Sequence, residues 1–321
     1  MRRAARALRE TTVQGLHRLA LLALPLLLLA GTTAPAAAET DDAHVLVLGR
    51  ISDDPATHYE QLKPLLDYVV AHMHDVGIRE GRILMARDLQ QMASYLRRGR
   101  VDWVTETSGA AMTLQQRAGA EPLLLTERDG VSGYRTVIFV RNDSPVKTLA
   151  DLRGRSIAFQ NPSSTSAYFV PAAALLHDRL GLEILLSPRD RPGGDSVGYV
   201  FGRTEANIST WVHKRLVDAG ALSELDFASP MKVPPAFRDD LRVIYTSPQY
   251  PRGLEVTRSG LSPRVRERLR EVLLQAADDP LAGPALRQFF HTTRFLPIDA
   301  RDAQLLARLR SDVRMVSEEV E

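Results

Sequence analysis

The chain has 321 residues, no cysteine and a formal charge of +2, with 44% hydrophobic and 25% charged residues. That length leaves room for two separate cores, and the missing cysteine excludes a disulfide framework or a lipid attached at a cysteine. The first 38 residues hold Arg2, Arg3, Arg6, Arg9 and Arg18 against one acid, Glu10; without them the +2 becomes −2, so no broad basic surface is left to argue for nucleic acid.

In chain order, the first predicted element is a secretory leader. Its basic start is followed by a leucine-rich run over 19–30 and by Ala36-Ala37-Ala38 ahead of Glu39, the anatomy of a signal peptide over 1–38 cut near Ala38. The apolar run is short for a bilayer span. The chain is expected to be exported.

Beyond the leader, strand-like and helix-like segments alternate. Residues 44–51 (HVLVLGRI) read as a strand and 59–74 as a helix, with Leu62, Leu65, Leu66, Val69 and Val70 at helical spacing. A short strand over 82–86, a helix over 89–98, a strand over 101–105 and a helix over 108–118 follow; Gly99 and Gly119 end the two helices. Strands are predicted over 122–126 and 134–140, a short helix over 148–152, and a strand over 156–159 leading to a helix over 168–180. The second half gives a strand over 183–186, a long loop over 188–202 and a helix over 205–216. It continues with a strand end and turn over 217–221, strands over 241–246 and 253–257, and helices over 265–277, 284–291 and 302–313. Such alternation predicts an α/β chain with mostly parallel sheets. Trp103 and Trp211 fall on the apolar pattern and are expected in the core.

The most informative stretch is Asn161-Pro162-Ser163-Ser164-Thr165-Ser166-Ala167, between a buried strand and a helix. First-turn amides lack partners and the helix dipole adds positive partial charge, so Ser164, Thr165 and Ser166 predict an anion site built from neutral donors. Plain N-capping is the competing reading. Thr107 and Ser108 open another helix in the same manner, with the same alternative. No metal set is predicted: there is no H-E-x-x-H and no acidic calcium loop, and the histidines are scattered. Ser164 is not in a G-x-S-x-G elbow and no Walker loop appears. No catalytic residue and no cofactor are therefore assigned; a hydrolase would need a base beside Ser164 or Thr165, which no motif supplies.

Several segments together carry a family resemblance: Tyr134 with 137–144 (VIFVRNDS), 149–154 (LADLRG), 157–159, 162–167 and Pro171, then 207–212 (NISTWV), 217–221 (VDAGA) and 245–253 (YTSPQYPRG). Their order resembles the phosphonate/phosphate-type periplasmic solute-binding proteins of bacterial ABC transporters. The resemblance implies a type II periplasmic binding protein fold, with two α/β lobes joined by two crossing strands and a ligand between them. Lobe one is expected over 43–136 and 251–321, lobe two over 137–250. It implies capture of a small oxyanion for an inner-membrane ABC permease, by a monomer that is not an enzyme. The alternative is a ligand-sensing accessory protein for a membrane signalling partner. In that frame Tyr134 begins a crossing strand and can offer its hydroxyl, and Tyr59 and His58 sit at the cleft mouth. Asp218 meets a cationic ligand group or forms a turn, and Arg252 complements an anion or serves in a structural pair. Two departures stand out: the loop over 191–196 has no His, and Glu106 stands beside the expected anion. Either Glu106 points away, or the ligand carries a cation.

Overall fold

The computed structural model describes residues 44–320, so the expected signal peptide lies outside the described residues. The first half runs β1 (Val45–Ile51), α1 (Pro55–Ala71), β2 (Glu80–Ala86), α2 (Leu89–Arg97), β3 (Trp103–Thr107), α3 (Ser108–Ala118), β4 (Glu121–Arg128), β5 (Gly133–Tyr134) and β6 (Thr136–Arg141). It continues β7 (Ser156–Phe159), α4 (Val170–His177), β8 (Gly181–Ile184), β9 (Ser196–Phe201), α5 (Glu205–His213), β10 (Ala219–Ser223), α6 (Glu224–Ala228), α7 (Pro235–Arg238) and β11 (Leu241–Thr246). The chain ends with β12 (Tyr250–Pro251), β13 (Gly253–Thr257), α8 (Pro263–Gln275), α9 (Gly283–Gln288), β14 (Thr292–Leu296) and α10 (Ala300–Val320).

These strands form two six-stranded sheets, β14-β4-β13-β3-β1-β2 and β11-β6-β10-β7-β9-β8, one per lobe. β1 runs parallel to β2 and β3, and β7 runs parallel to β9 and β10. A small antiparallel ribbon carries the chain between them, with Tyr250 opposite Tyr134 and Pro251 opposite Gly133. β3, β7 and β13 are nearly continuous buried runs, with Thr105, Glu106, Glu255 and Thr257 buried among the apolar residues of β3 and β13. Trp103 stacks on Phe289 with ring centroids 6.2 Å apart in the first lobe, while Phe139 and Ile208 sit in the core of the second. Trp211 packs against that second core from a half-buried position.

Three segments depart from the periodicity. The loop expected over 188–202 hides β9, whose Ser-Val-Gly-Tyr-Val-Phe run is masked by the glycines and prolines before it. The strand end and turn expected over 217–221 run into β10, an interior strand pairing with both β6 and β7. β14 was not expected; it closes the first sheet beside β4. α10, expected with lobe one, leans on both lobes: Arg310 O accepts from Gln116 in α3 at 2.8 Å, and Asp312 meets His177 of α4 at 3.0 Å.

Gly220 shows why a weak strand signal was correct. A Cβ there would lie 2.6 Å from Ile208 Cγ2 and 2.8 Å from Phe139 Cζ, because α5 packs directly on β10. Gly220→Ala is expected to destabilise the protein by about 1–3 kcal/mol through overpacking, read as a lowered denaturation midpoint; an unshifted midpoint would refute this packing account.

Candidate anion cleft between the two sheets

The carboxyl ends of β1, β2 and β3 and those of β7, β9 and β10 face one cavity of about 870 Å³. Ser52 and Asp53, Arg87 and Asp88, and Thr107 line it from the first lobe; Gln160, Arg203 and Ser223 line it from the second. This is where parallel α/β sheets place ligands, since loops there are free of the ladder and helix starts point inward.

The hydroxyl loop is built by a proline. Pro171 sits in the first turn of α4, and a proline ring clashes with the carbonyl four residues earlier, here that of Ala167. Ala167 leaves helical geometry at φ −113° and ψ 16°, inside a π turn over Thr165–Phe169. Its carbonyl turns instead to accept from Gln160 N at 3.0 Å. Ser164 Oγ caps the turn by accepting from Ala167 N at 3.2 Å. Asn161 Oδ1 accepts from both Ser163 N and Ser163 Oγ, at 2.9 and 2.8 Å, fixing the approach to the cap. Ser164 and Ser166 are buried, and both line the cleft.

The start of α3 meets this loop from the other lobe. Thr107 Oγ1 donates to Ser163 O at 3.1 Å, and Gly109 N donates to Thr165 Oγ1 at 2.7 Å. Thr165 is thus engaged in holding the lobes together and is not part of the cavity lining, whereas Thr107 lines it. Ser108 is fully buried and donates to Pro251 O at 2.5 Å; it ties α3 to the crossing ribbon and does not reach the cavity. Tyr134 lines the cleft while 6% exposed. Burial pushes its phenol pKa up, against hydrogen bonds with Thr165 and Ser166.

Tyr59 and Asp218 are not brought to the cavity. Tyr59 is 42% exposed on the outer face of α1, while its neighbour His58 does line the cleft and bonds Ser52 Oγ at 2.6 Å. Burial lowers the His58 pKa, with Arg50 adding to the effect. Asp218 sits at the amino ends of β7 and β10, the pole opposite the cleft. Its carboxylate accepts from Ser156 N and Oγ at 3.0 Å each and faces Arg155 and Arg191 at 3.6 and 3.8 Å. It joins two strand ends and has no path to a ligand in the cleft.

Glu106 follows neither expected alternative. It lines the cleft but accepts from Ile51 N at 2.9 Å and faces Arg50 Nη1 at 3.2 Å. Its charge is matched within its own lobe. On the opposite wall, Glu205 pairs with Lys232 at 2.9 Å. Burial opposes the Lys232 charge, yet the bond to Glu205 leaves its pKa raised. Asp226, bonded to Ser223 Oγ at 2.5 Å, has its pKa pushed up by burial.

The periodicity reading missed Arg50, Arg128 and Phe290. Both guanidinium groups lie over the Phe290 ring, at 4.9 and 4.8 Å from its centroid. Burial, reinforced by repulsion from Arg50 and Arg252, lowers the Arg128 pKa to about 10. Arg50 and Arg128 stand at or next to strand carboxyl ends, the one signal that could have marked them. Phe290 gave none, because its placement depends on a backbone φ of 52°. Arg252, expected either at an anion or in a structural pair, lines the cleft and donates to Arg128 O at 3.0 Å.

The sequence matches the family described as "ABC transporter, phosphonate, periplasmic substrate-binding protein" over residues 49–303. The chain belongs to that family. It is 25% identical over 221 residues to the phosphonates-binding periplasmic protein of Escherichia coli K12, a stretch covering 61% of this chain and 56% of that one. The Xanthomonas citri protein XAC2383, solved bound to chloride, is 53% identical over 86% of this chain and all of its own, with a TM-score of 0.83. The same Xanthomonas protein was also solved bound to ATP, at 52% identity. A Prochlorococcus marinus protein solved with methylphosphonate, PhnD1, shares the fold at 15% identity and a TM-score of 0.61 over 86% of this chain. The family is periplasmic and consists of substrate-binding proteins, not enzymes.

The interlobe contact is sterically exacting. A Cβ on Gly109 would lie 2.8 Å from Phe169 Cδ2 and 2.9 Å from Thr165 Oγ1. Gly109→Ala is expected to hold the helix starts apart, raising the radius of gyration of the ligand-free protein in small-angle scattering. Identical scattering profiles for the two proteins would remove this contact as a determinant of closure.

Proposed function

We propose that this protein is the periplasmic receptor of an ABC importer and captures a small oxyanion, phosphonate-like or phosphate-like, between its lobes. The observation that carries the reading is the Ser164-capped helix start, whose hydroxyls line a cavity shared by the carboxyl ends of both sheets. First-turn amides and the hydroxyls of Ser164 and Ser166 offer donors to anionic oxygens, and the dipole favours the negative charge. Thr107 and Tyr134 complete the polar rim. Neutral donors hold an anion reversibly, without the longer-lived pairing of an arginine fork, which suits delivery to a permease. The Xanthomonas relative's bound ATP is supporting, since its phosphates are oxyanions of the same class.

In this reading the lobes comprise 43–136 with 251–321, and 137–250, and they move about the β5–β12 ribbon. The leader is removed near Ala38 and the exported chain acts as a monomer that hands its ligand to an inner-membrane permease. Thr165, Ser108, Tyr59 and Asp218 drop out of direct ligand contact for the geometric reasons given above.

Calorimetry with orthophosphate, phosphite, methylphosphonate, aminoethylphosphonate and a sulfonate tests the proposal. At least one phosphorus oxyanion should bind, and Ser164→Ala should weaken it by about 1–2 kcal/mol, roughly tenfold, for one lost donor at a charged group. Absence of binding by every phosphorus oxyanion, or equal affinities for the wild type and Ser164→Ala, would sink it.

A further inference from the structure

We propose that Arg128, supported by Arg50, forms a second anion subsite on the first lobe's wall, so that the preferred ligand carries two or more linked phosphoryl or phosphonyl groups. This rests on the oxyanion reading above and narrows it to a ligand class.

The argument begins with unmet hydrogen-bonding capacity. Arg128 Nε and Nη2 are shielded from solvent and have no hydrogen-bond partner, and the same holds for Arg50 Nε. Buried donors are nearly always satisfied, and a buried guanidinium left without an acceptor is costly. The two bare nitrogens of Arg128 are neighbours on one edge of the guanidinium plane. That edge is the side-on fork that takes two oxygens of one phosphoryl or carboxylate group.

No acid of the protein fills the fork. Glu106 is engaged by Arg50, Ile51 N and Thr107 N. Glu255 is fully buried and accepts from Trp103 Nε1, Thr105 Oγ1 and Thr126 Oγ1 at 2.6, 2.8 and 2.6 Å. Among the described residues, Arg128 forms no ion pair within 4.0 Å. Arg252 adds a third cation from the crossing ribbon and lines the same cavity.

The cluster is also held in place at a conformational cost. Phe290, the ring beneath both guanidinium groups, and His291 after it both have left-handed backbones, at φ 52° and 56°. Left-handed geometry is an outlier for bulky residues and persists where surrounding structure enforces it, a frequent feature of ligand clamps. The result is a cation–π platform that fixes the plane of each guanidinium. Size points the same way. A cavity of about 870 Å³ has room for roughly thirty waters at about 30 Å³ each, far more than one phosphonate fills. A linked polyanion instead spans from the Ser164 helix start to the arginine wall, where its second charged group displaces the packing that shields the Arg128 edge.

The test is titration of the purified protein with orthophosphate, methylphosphonate, pyrophosphate and tripolyphosphate at one ionic strength, because polyanion binding is salt-sensitive. Pyrophosphate or tripolyphosphate is expected to bind at least tenfold tighter than orthophosphate. Arg128→Gln should bring that ratio toward one. Arg128→Lys, which keeps the charge but loses the planar fork, should leave it in between. A wild-type ratio near one overturns the proposal, as does an Arg128→Gln protein that retains the full ratio. Both results leave capture of a single oxyanion standing, whereas failure of all four ligands to bind removes the reading on which this one depends. The wild-type ratio needs no variant, so a poorly folding Arg128→Gln protein does not block the decision.

Discussion

The whole arrangement turns on one contact: Gly109 N–H donating to Thr165 Oγ1 at 2.7 Å across the gap between the lobes. Only a residue without a Cβ permits it, since Phe169 and Thr165 already occupy that space. The two helix starts consequently do not face each other across open solvent. They touch, and the touching residues, Thr107, Gly109, Ser163 and Thr165, form the floor against which the cleft closes. Ser164 and Ser166 stay turned toward the cavity because neighbouring groups satisfy the closure contacts. A run of adjacent hydroxyls thereby divides into closure contacts and cavity-lining groups.

Electrostatics divides along the same line. The second lobe meets the cavity with neutral hydroxyls, a Glu205–Lys232 pair whose charges cancel, and the side chains of Arg203 and Asp226. The first lobe brings arginines whose charge is only partly matched, Arg50 by Glu106 and Arg128 by nothing within 4.0 Å among the described residues. Desolvation strengthens such a field, because the interaction of charges rises as the local dielectric falls.

Much of this was legible in the residues, and the gaps have physical causes. The β3–α3 unit and the 156–167 segment announced themselves because apolar strands and hydroxyl caps are local features. Pro171 also stood in plain sight, but the π turn it imposes through Ala167 is a backbone steric effect that hydrophobic periodicity does not report. Thr165 and Ser164 are indistinguishable by residue type; only tertiary placement sends one to Gly109 and leaves the other at the cavity. Asp218 looked like a ligand residue because family order put it near the cleft. Strand direction decides otherwise, since it precedes β10 and so lies at the amino pole. Phe290 could not be found at all, as aromatic residues carry no sequence mark for a left-handed backbone.

The closed contacts have a consequence for how ligand and motion are coupled. Two hydrogen bonds join the lobes here, each worth on the order of 1 kcal/mol net. These contacts contribute to closure, and a ligand adds the difference between its affinities for the closed and open forms. A monoanion held at the Ser164 helix start meets the first lobe only through the rim around Thr107, so it biases closure less than a larger ligand would. An anion that reaches from that start to Arg128 makes its contacts in both lobes and binds the closed form selectively. A ligand that bridges the two walls supplies more of the differential affinity that a population shift needs, about 5.5 kcal/mol for a full reversal from 1:99 to 99:1.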